Sequence, residues 1–115
     1  MHELSVALGL LETIGEAAER DGFERVSAVH VRVGALSGIA CDALRFSWEL
    51  ASAETVAAGS ELRIEDVPLV IACAACRAES APNPGAGLRC SRCGLPSTEI
   101  VSGRELELVA IEVPT

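Results

Sequence analysis

Between Leu4 and Ala18 the apolar residues Leu4, Ala7, Leu8, Leu11, Ile14, Gly15 and Ala18 recur every three or four positions, while Glu12, Glu16 and Glu19 take the opposite side. That period predicts one face of a helix of about four turns. Arg20, Asp21 and Gly22 then supply a cation for the last turn and a glycine to end it. From Val26 to Val33 the period drops to two. Val29, Val31 and Val33 alternate with Ala28, His30 and Arg32, as in a strand covered on one face. Asp42 is a good N-terminal cap for a second helix running to about Val56, with Leu44, Ser47, Trp48 and Ala51 along one stripe and Gly59 as its stop. Glu61 to Val67 alternates again and predicts a second strand, interrupted by Pro68.

At Ala72 the texture changes. The stretch from Cys73 to Cys93 holds four cysteines and a Pro82-Asn83-Pro84-Gly85 tip that only a turn or loop accommodates. After it, Arg104 to Val113 reads as a strand whose apolar phase slips from Leu106 and Leu108 to Val109, Ile111 and Val113, which predicts a bulge near Leu108. That strand needs partners, and the nearest are the two strands before the cysteines. An α+β chain follows, with residues 1–70 and 104–115 forming one body and residues 71–103 inserted as a small cysteine module.

Composition narrows the functional classes. Half of the 115 residues are hydrophobic, but only Phe23, Phe46 and Trp48 are aromatic, so the core is aliphatic. Nine arginines, no lysine and 17 acidic residues give a net charge of −8, the wrong sign for a nonspecific nucleic-acid binder or a binder of anionic membranes. The longest apolar run, Val67 to Cys76, is broken by Pro68 and too short to cross a bilayer. The start at Met1-His2-Glu3 carries no basic leader, and the expected location is the cytoplasm.

Cys73-Ala-Ala-Cys76, thirteen intervening residues and Cys90-Ser-Arg-Cys93 have the spacing of two zinc-ribbon knuckles. Two residues between thiols let each turn aim both sulfurs at one point, and two facing turns make a tetrahedral site. Four thiolates saturate Zn(II), leaving no position for substrate or activated water, so the site is expected to be structural. Disulfides fit a reducing compartment poorly, and the pattern around Cys73 does not resemble a redox motif at a helix start. Cys41, the fifth thiol, has no cysteine near it and is expected to sit in or beside the core.

The two histidines are His2 and His30. A histidine at position 2 reads first as a solvated terminal residue. The α-amine, the His2 amide nitrogen and its imidazole can nevertheless form fused chelate rings, with Glu3 completing the plane that Ni(II) or Cu(II) prefers. His30 lies on the polar phase of its strand and reads as a structural or surface residue. No nucleophile triad, phosphate loop or dinucleotide fingerprint is present, and no catalytic role is expected.

The opening Met1-His2-Glu3-Leu4-Ser5, the Val33-Gly34-Ala35-Leu36-Ser37-Gly38 turn, Ala43-Leu44-Arg45-Phe46 and the paired cysteines occur in one order with the closing Ser102-Gly103-Arg104-Glu105-Leu106 and Ile111-Glu112-Val113. Together they resemble the HypA/HybF family of hydrogenase nickel-insertion accessory proteins over essentially the whole chain. The resemblance implies two helices packed on a small mixed β-sheet, with a zinc module projecting from it. It further implies Ni(II) bound through the Met1 amine, the His2 imidazole and amide, and the Glu3 amide or carboxylate. Structural zinc would sit on Cys73, Cys76, Cys90 and Cys93. The implied partners are the large-subunit precursor of a [NiFe]-hydrogenase, the GTPase HypB and, in some bacteria, urease maturation proteins, and a homodimer stays open. Two features depart from the pattern: no histidine follows His30, and Ala35 replaces the usual acidic residue of the turn. The alternative is a non-catalytic zinc-ribbon adaptor that contacts partners through Arg77, Arg89 and Arg92.

Overall fold

The computed structural model describes residues 2–115. Helix α1 spans Glu3–Asp21 and ends as its sequence predicts, with the Gly22 N–H capping the Ala18 carbonyl at 2.8 Å. Its buried face is turned relative to the predicted stripe. Val6, Ala7, Ile14 and Ala18 are buried with Leu10 and Leu11 beside them, whereas Leu4 and Leu8 are 44% and 52% exposed. The helix packs against both the sheet and the second helix, and this double contact draws in the flank carrying Val6 and Leu10. Glu12, Glu16 and Glu19 are exposed, as the periodicity predicts.

Strand β1 (Ala28–Gly34) is the centre of the first sheet. It pairs in parallel with β2 (Glu61–Val67) and antiparallel with β6 (Leu106–Glu112), giving the order β2-β1-β6. The parallel pair is joined by helix α2 (Cys41–Ser52), as a parallel connection requires. The last strand therefore bonds to only one of its two predicted partners. The predicted bulge is present: the register passes from His30↔Ala110 to Val31↔Leu108 and skips Val109. Leu106, Leu108 and Ile111 thereby all pack against the core, and Val109 is 56% exposed.

Helix α2 begins one residue before Asp42 and ends four residues before Val56. Ala40 is its N-cap and makes no side-chain cap, while Asp42 lies in the first turn. At the far end the Thr55 hydroxyl donates to the Ser52 carbonyl at 2.8 Å and accepts the Ala57 N–H at 3.1 Å, bonds that compete with continuation of the helix. Val29, Val31 and Val33 meet Val6, Ala7, Ile14, Leu44, Trp48 and Leu62 in the core, and Trp48 directs its indole N–H to the Ser60 hydroxyl at 3.1 Å.

The sheet of β1, β2 and β6 is the small sheet the sequence predicts around an inserted module, and the cysteine segment adds a second three-stranded sheet of its own. Its order is β4-β3-β5, from β3 (Val70–Cys73), β4 (Ala78–Ser80) and β5 (Glu99–Ser102), all antiparallel. Both connections between the sheets pass the Gly34–Gly38 turn. Ala35 N–H donates to the Val67 carbonyl at 3.0 Å, Leu36 N–H to Gly103 at 2.7 Å and Gly34 N–H to Glu105 at 2.7 Å. Ser102 Oγ donates to the Pro68 carbonyl at 2.8 Å, and the Glu105 carboxylate accepts the Gly103 N–H at 2.7 Å. The chains approach so closely that a Cβ on Gly34 would lie 2.1 Å from the Gly103 carbonyl oxygen.

Gly34→Ala must therefore push backbone against backbone, and chemical denaturation should show a loss at least as large as the ~1–3 kcal/mol of an overpacked core. Gly9→Ala, in open space on α1, should instead gain roughly 0.5–1 kcal/mol. Unchanged stability in Gly34→Ala would contradict the close crossing.

Candidate metal centre

The two cysteine pairs sit in matching turns. In the first, which joins β3 to β4, Arg77 N–H donates to the Cys73 carbonyl at 2.8 Å and Cys76 N–H to Cys73 Sγ at 3.5 Å. In the second, Gly94 N–H donates to the Cys90 carbonyl at 2.9 Å and Arg92 N–H to Cys90 Sγ at 3.4 Å. Both turns close on a left-handed residue, Gly94 at φ 75° and Arg77 at φ 54°. The second turn is itself anchored, because Cys90 N–H bonds to the Leu95 carbonyl and the Ser97 hydroxyl bonds to the Ala72 carbonyl of β3.

These turns face each other and bring together the four thiols predicted from spacing. Cys73 and Cys93 sulfurs are 3.6 Å apart, Cys76 and Cys90 sulfurs 3.9 Å, and all four lie within 4.8 Å of one another. A tetrahedron with metal–sulfur bonds of about 2.3 Å has sulfur–sulfur edges of about 3.8 Å. The donor set and the spacing thus fit one tetrahedral divalent ion of the zinc or iron type. Among the described residues no other group of three or more histidine, cysteine or carboxylate side chains converges in this way.

The local fields are unequal. Backbone N–H groups of Cys93 and Arg92 directed at Cys90 pull its thiol down to about 6. Hydrogen bonding to Cys93, then desolvation and the other sulfurs, pushes Cys76 up to about 12. The four sulfurs thus do not share their protons equally, and a divalent cation bound among them would displace the protons that remain. With all four occupied the coordination sphere is closed.

The other predicted ligands lie at the start of α1. His2 is exposed and extended, at φ −87° and ψ 139°, and its carbonyl accepts the Val6 N–H at 3.1 Å as the first helical bond. The N–H of Glu3, the first helical residue, has no acceptor within α1 because helical bonds begin four residues in. Glu3 is half-buried, and its Oε2 accepts the Ala40 N–H at 3.3 Å. Sequence reasoning missed this contact, since no local pattern links positions 37 residues apart. Met1, the predicted amine donor, lies outside the described residues.

His30 lies on the sheet face away from the core strand residues, where Nε2 meets Glu112 Oε2 at 2.6 Å. Arg63 donates to the same oxygen at 2.6 Å, and the two hold the Glu112 carboxyl below its usual range, His30 contributing most. This is the surface role its strand phase predicts. Cys41 is half-buried against the core, and its thiol donates to Asp66 Oδ1 at 3.2 Å. Burial first, then that bond, pushes the thiol up and keeps it protonated. Of the three ribbon arginines, Arg89 bonds to the Gly94 carbonyl at 3.2 Å, Arg77 occupies the strained turn position and Arg92 contributes its backbone N–H to Cys90. No helix among the described residues is long and apolar enough to cross a membrane.

A side chain costs energy at the left-handed position that Gly94 fills without penalty, so Arg77→Gly should stabilise the metal-loaded ribbon by about 0.5–1 kcal/mol. Denaturant titration of the loaded protein measures this, and a clear loss of stability would mean that the arginine side chain holds the turn.

A family model described as hydrogenase/urease nickel incorporation, metallochaperone, HypA matches residues 1–113. The chain is 50% identical over 114 residues to the hydrogenase maturation factor HypA of Chloroflexus aurantiacus, covering 99% of this chain and 100% of that protein. Its fold matches the solution structure of the Ni metallochaperone HypA from Helicobacter pylori with a TM-score of 0.65 at 25% identity, over 97% of each chain. A second HypA solution structure superposes with a TM-score of 0.69 over 99% of this chain and 97% of the other, at 24% identity. Full-length agreement in sequence, together with a fold that brings its four cysteines together, places this chain in the HypA family of nickel metallochaperones for hydrogenase and urease nickel incorporation.

Proposed function

We propose that the chain carries Ni(II) on its first three residues and delivers it to the large-subunit precursor of a [NiFe]-hydrogenase, in concert with a HypB-type GTPase. The four cysteines hold Zn(II) and fix the ribbon. The observation that carries this reading is the start of α1 at Glu3, immediately after an exposed, extended His2, in a chain of the HypA family. The Met1 amine, the His2 amide and imidazole, and Glu3 are consecutive donors that close small chelate rings. Deprotonating the Glu3 amide toward a metal sacrifices no bond of the helix, because that N–H lacks an intrahelical acceptor.

The two sites divide the work by coordination. The closed sulfur site retains its ion, while a terminal nitrogen site with few protein ligands exchanges its own. Copper outbinds nickel at such donors, so the choice of metal falls to its supply in the cell and to the partner that accepts it.

Metal binding to amine, amide and imidazole nitrogens displaces their protons, so nickel affinity should fall steeply from mildly alkaline to mildly acidic buffer. Equal affinity across that range would contradict nitrogen chelation. Blocking the α-amine with one extra N-terminal residue should weaken nickel binding strongly and leave zinc content intact. Metal analysis and nickel titration of tagged and untagged protein test this, and equal nickel affinity in the two would exclude the terminal site.

A further inference from the structure

The bond between Glu3 and the start of α2 separates two roles that one residue could play. Ala40, the N-cap of α2, lacks a side-chain oxygen and makes no side-chain cap. Its carbonyl is engaged by Leu44 N–H at 2.9 Å as the first bond of the helix, while its own N–H is taken by Glu3 Oε2 at 3.3 Å. In a capping box a glutamate of the same helix reaches back to the N-cap N–H. Here the carboxylate comes from another helix, and its charge lies at the positive end of the α2 dipole. Asp42, the acid that the sequence offers for this task, sits in the first turn with its side chain fully solvated and paired with Arg45 at 3.5 Å.

Resting on the terminal nickel site proposed above, we infer that the Glu3 carboxylate is a positioning group and not a nickel ligand. Glu3 faces the metal with its amide nitrogen and faces Ala40 with its side chain. The carboxylate ties the first turn of α1 to the loop before α2, and so fixes where the amide of residue 3 stands relative to His2. The chelate then assembles on an end that is already anchored at its third residue. A carboxylate ligand would have to abandon the Ala40 N–H, leaving α2 without a side-chain acceptor at its N-cap.

The test compares Glu3→Gln, Glu3→Ala and His2→Ala in untagged protein, using nickel titration, nickel X-ray absorption and hydrogen exchange at the Ala40 amide. A glutamine oxygen accepts the same hydrogen bond without the charge, so Glu3→Gln should keep nickel affinity within about threefold, keep the ligand set and keep Ala40 protected. Glu3→Ala should expose the Ala40 amide and lower nickel affinity by roughly 10–100-fold, the usual cost of losing a group that orients a ligand. Nickel loading of the wild type should leave Ala40 protected. Loss of nickel in Glu3→Gln to the same degree as in Glu3→Ala, or deprotection of Ala40 when nickel binds, would overturn the inference and make the carboxylate a ligand. His2→Ala keeps these outcomes apart from the parent reading. If His2→Ala abolishes nickel binding while both Glu3 variants fall together, the terminal site stands and only the positioning role fails. If His2→Ala binds nickel like the wild type, the terminal site fails and the inference with it.

Discussion

The stretch from Gly34 to Ala40 holds the molecule together at one place. Its first three amides donate to Glu105, Val67 and Gly103, the residues where the chain passes between the two sheets. Its last amide donates to Glu3, the first residue of α1. A turn that looks like a simple link between β1 and α2 thus anchors both connections to the ribbon at one end and the beginning of the chain at the other. The closeness of the Gly34 and Gly103 backbones explains why neither position tolerates a side chain without movement: a Cβ on Gly103 would lie 2.9 Å from the Leu69 Cα. Hydrogen bonds between backbone groups, unlike contacts between side chains, leave the crossing little freedom to slide.

Around that anchor lie the two places to which the proposed function assigns metal. The ribbon turns direct backbone N–H groups at sulfur, and this lowers the cost of a thiolate at Cys90. Four thiolates fill a tetrahedral ion's coordination sphere and leave no open position on it. The start of α1 is the reverse case. It is exposed at His2, and the first amides of the helix have no acceptor within the helix. Retention suits the first arrangement and transfer suits the second, which matches a family concerned with nickel incorporation.

Much of this is written in local patterns. The cysteine spacing foretells the sulfur cluster because each knuckle is a short-range turn, and only the facing of the two turns is a long-range event. The phase slip near Leu108 foretells the bulge because alternation along a strand reports directly on which face is covered. What escapes the sequence is non-local. The buried face of α1 is displaced toward Val6 and Leu10 by simultaneous packing against the sheet and α2, which its own periodicity does not encode. The ribbon strands are too short to show a period, so their separate sheet is invisible until the turns close. Asp42 looks like a cap, but the cap position falls on Ala40 and the acid that serves it is Glu3, from the other helix.

The claim with most at stake is that the first three residues wrap a planar set of nitrogen donors around Ni(II). Planar four-coordinate nickel is diamagnetic, whereas six-coordinate nickel is paramagnetic. The direct measurement is therefore an amide NMR spectrum of protein with its native N-terminus, loaded with one equivalent of nickel. The planar chelate predicts sharp, shifted resonances confined to the beginning of α1 and to the residues around Ala40, with the ribbon unchanged. Apart from the His2 and Glu3 amides, which lose their protons to the metal, resonances broadened beyond detection through the first turn of α1, or shifts centred on the cysteines, would contradict it.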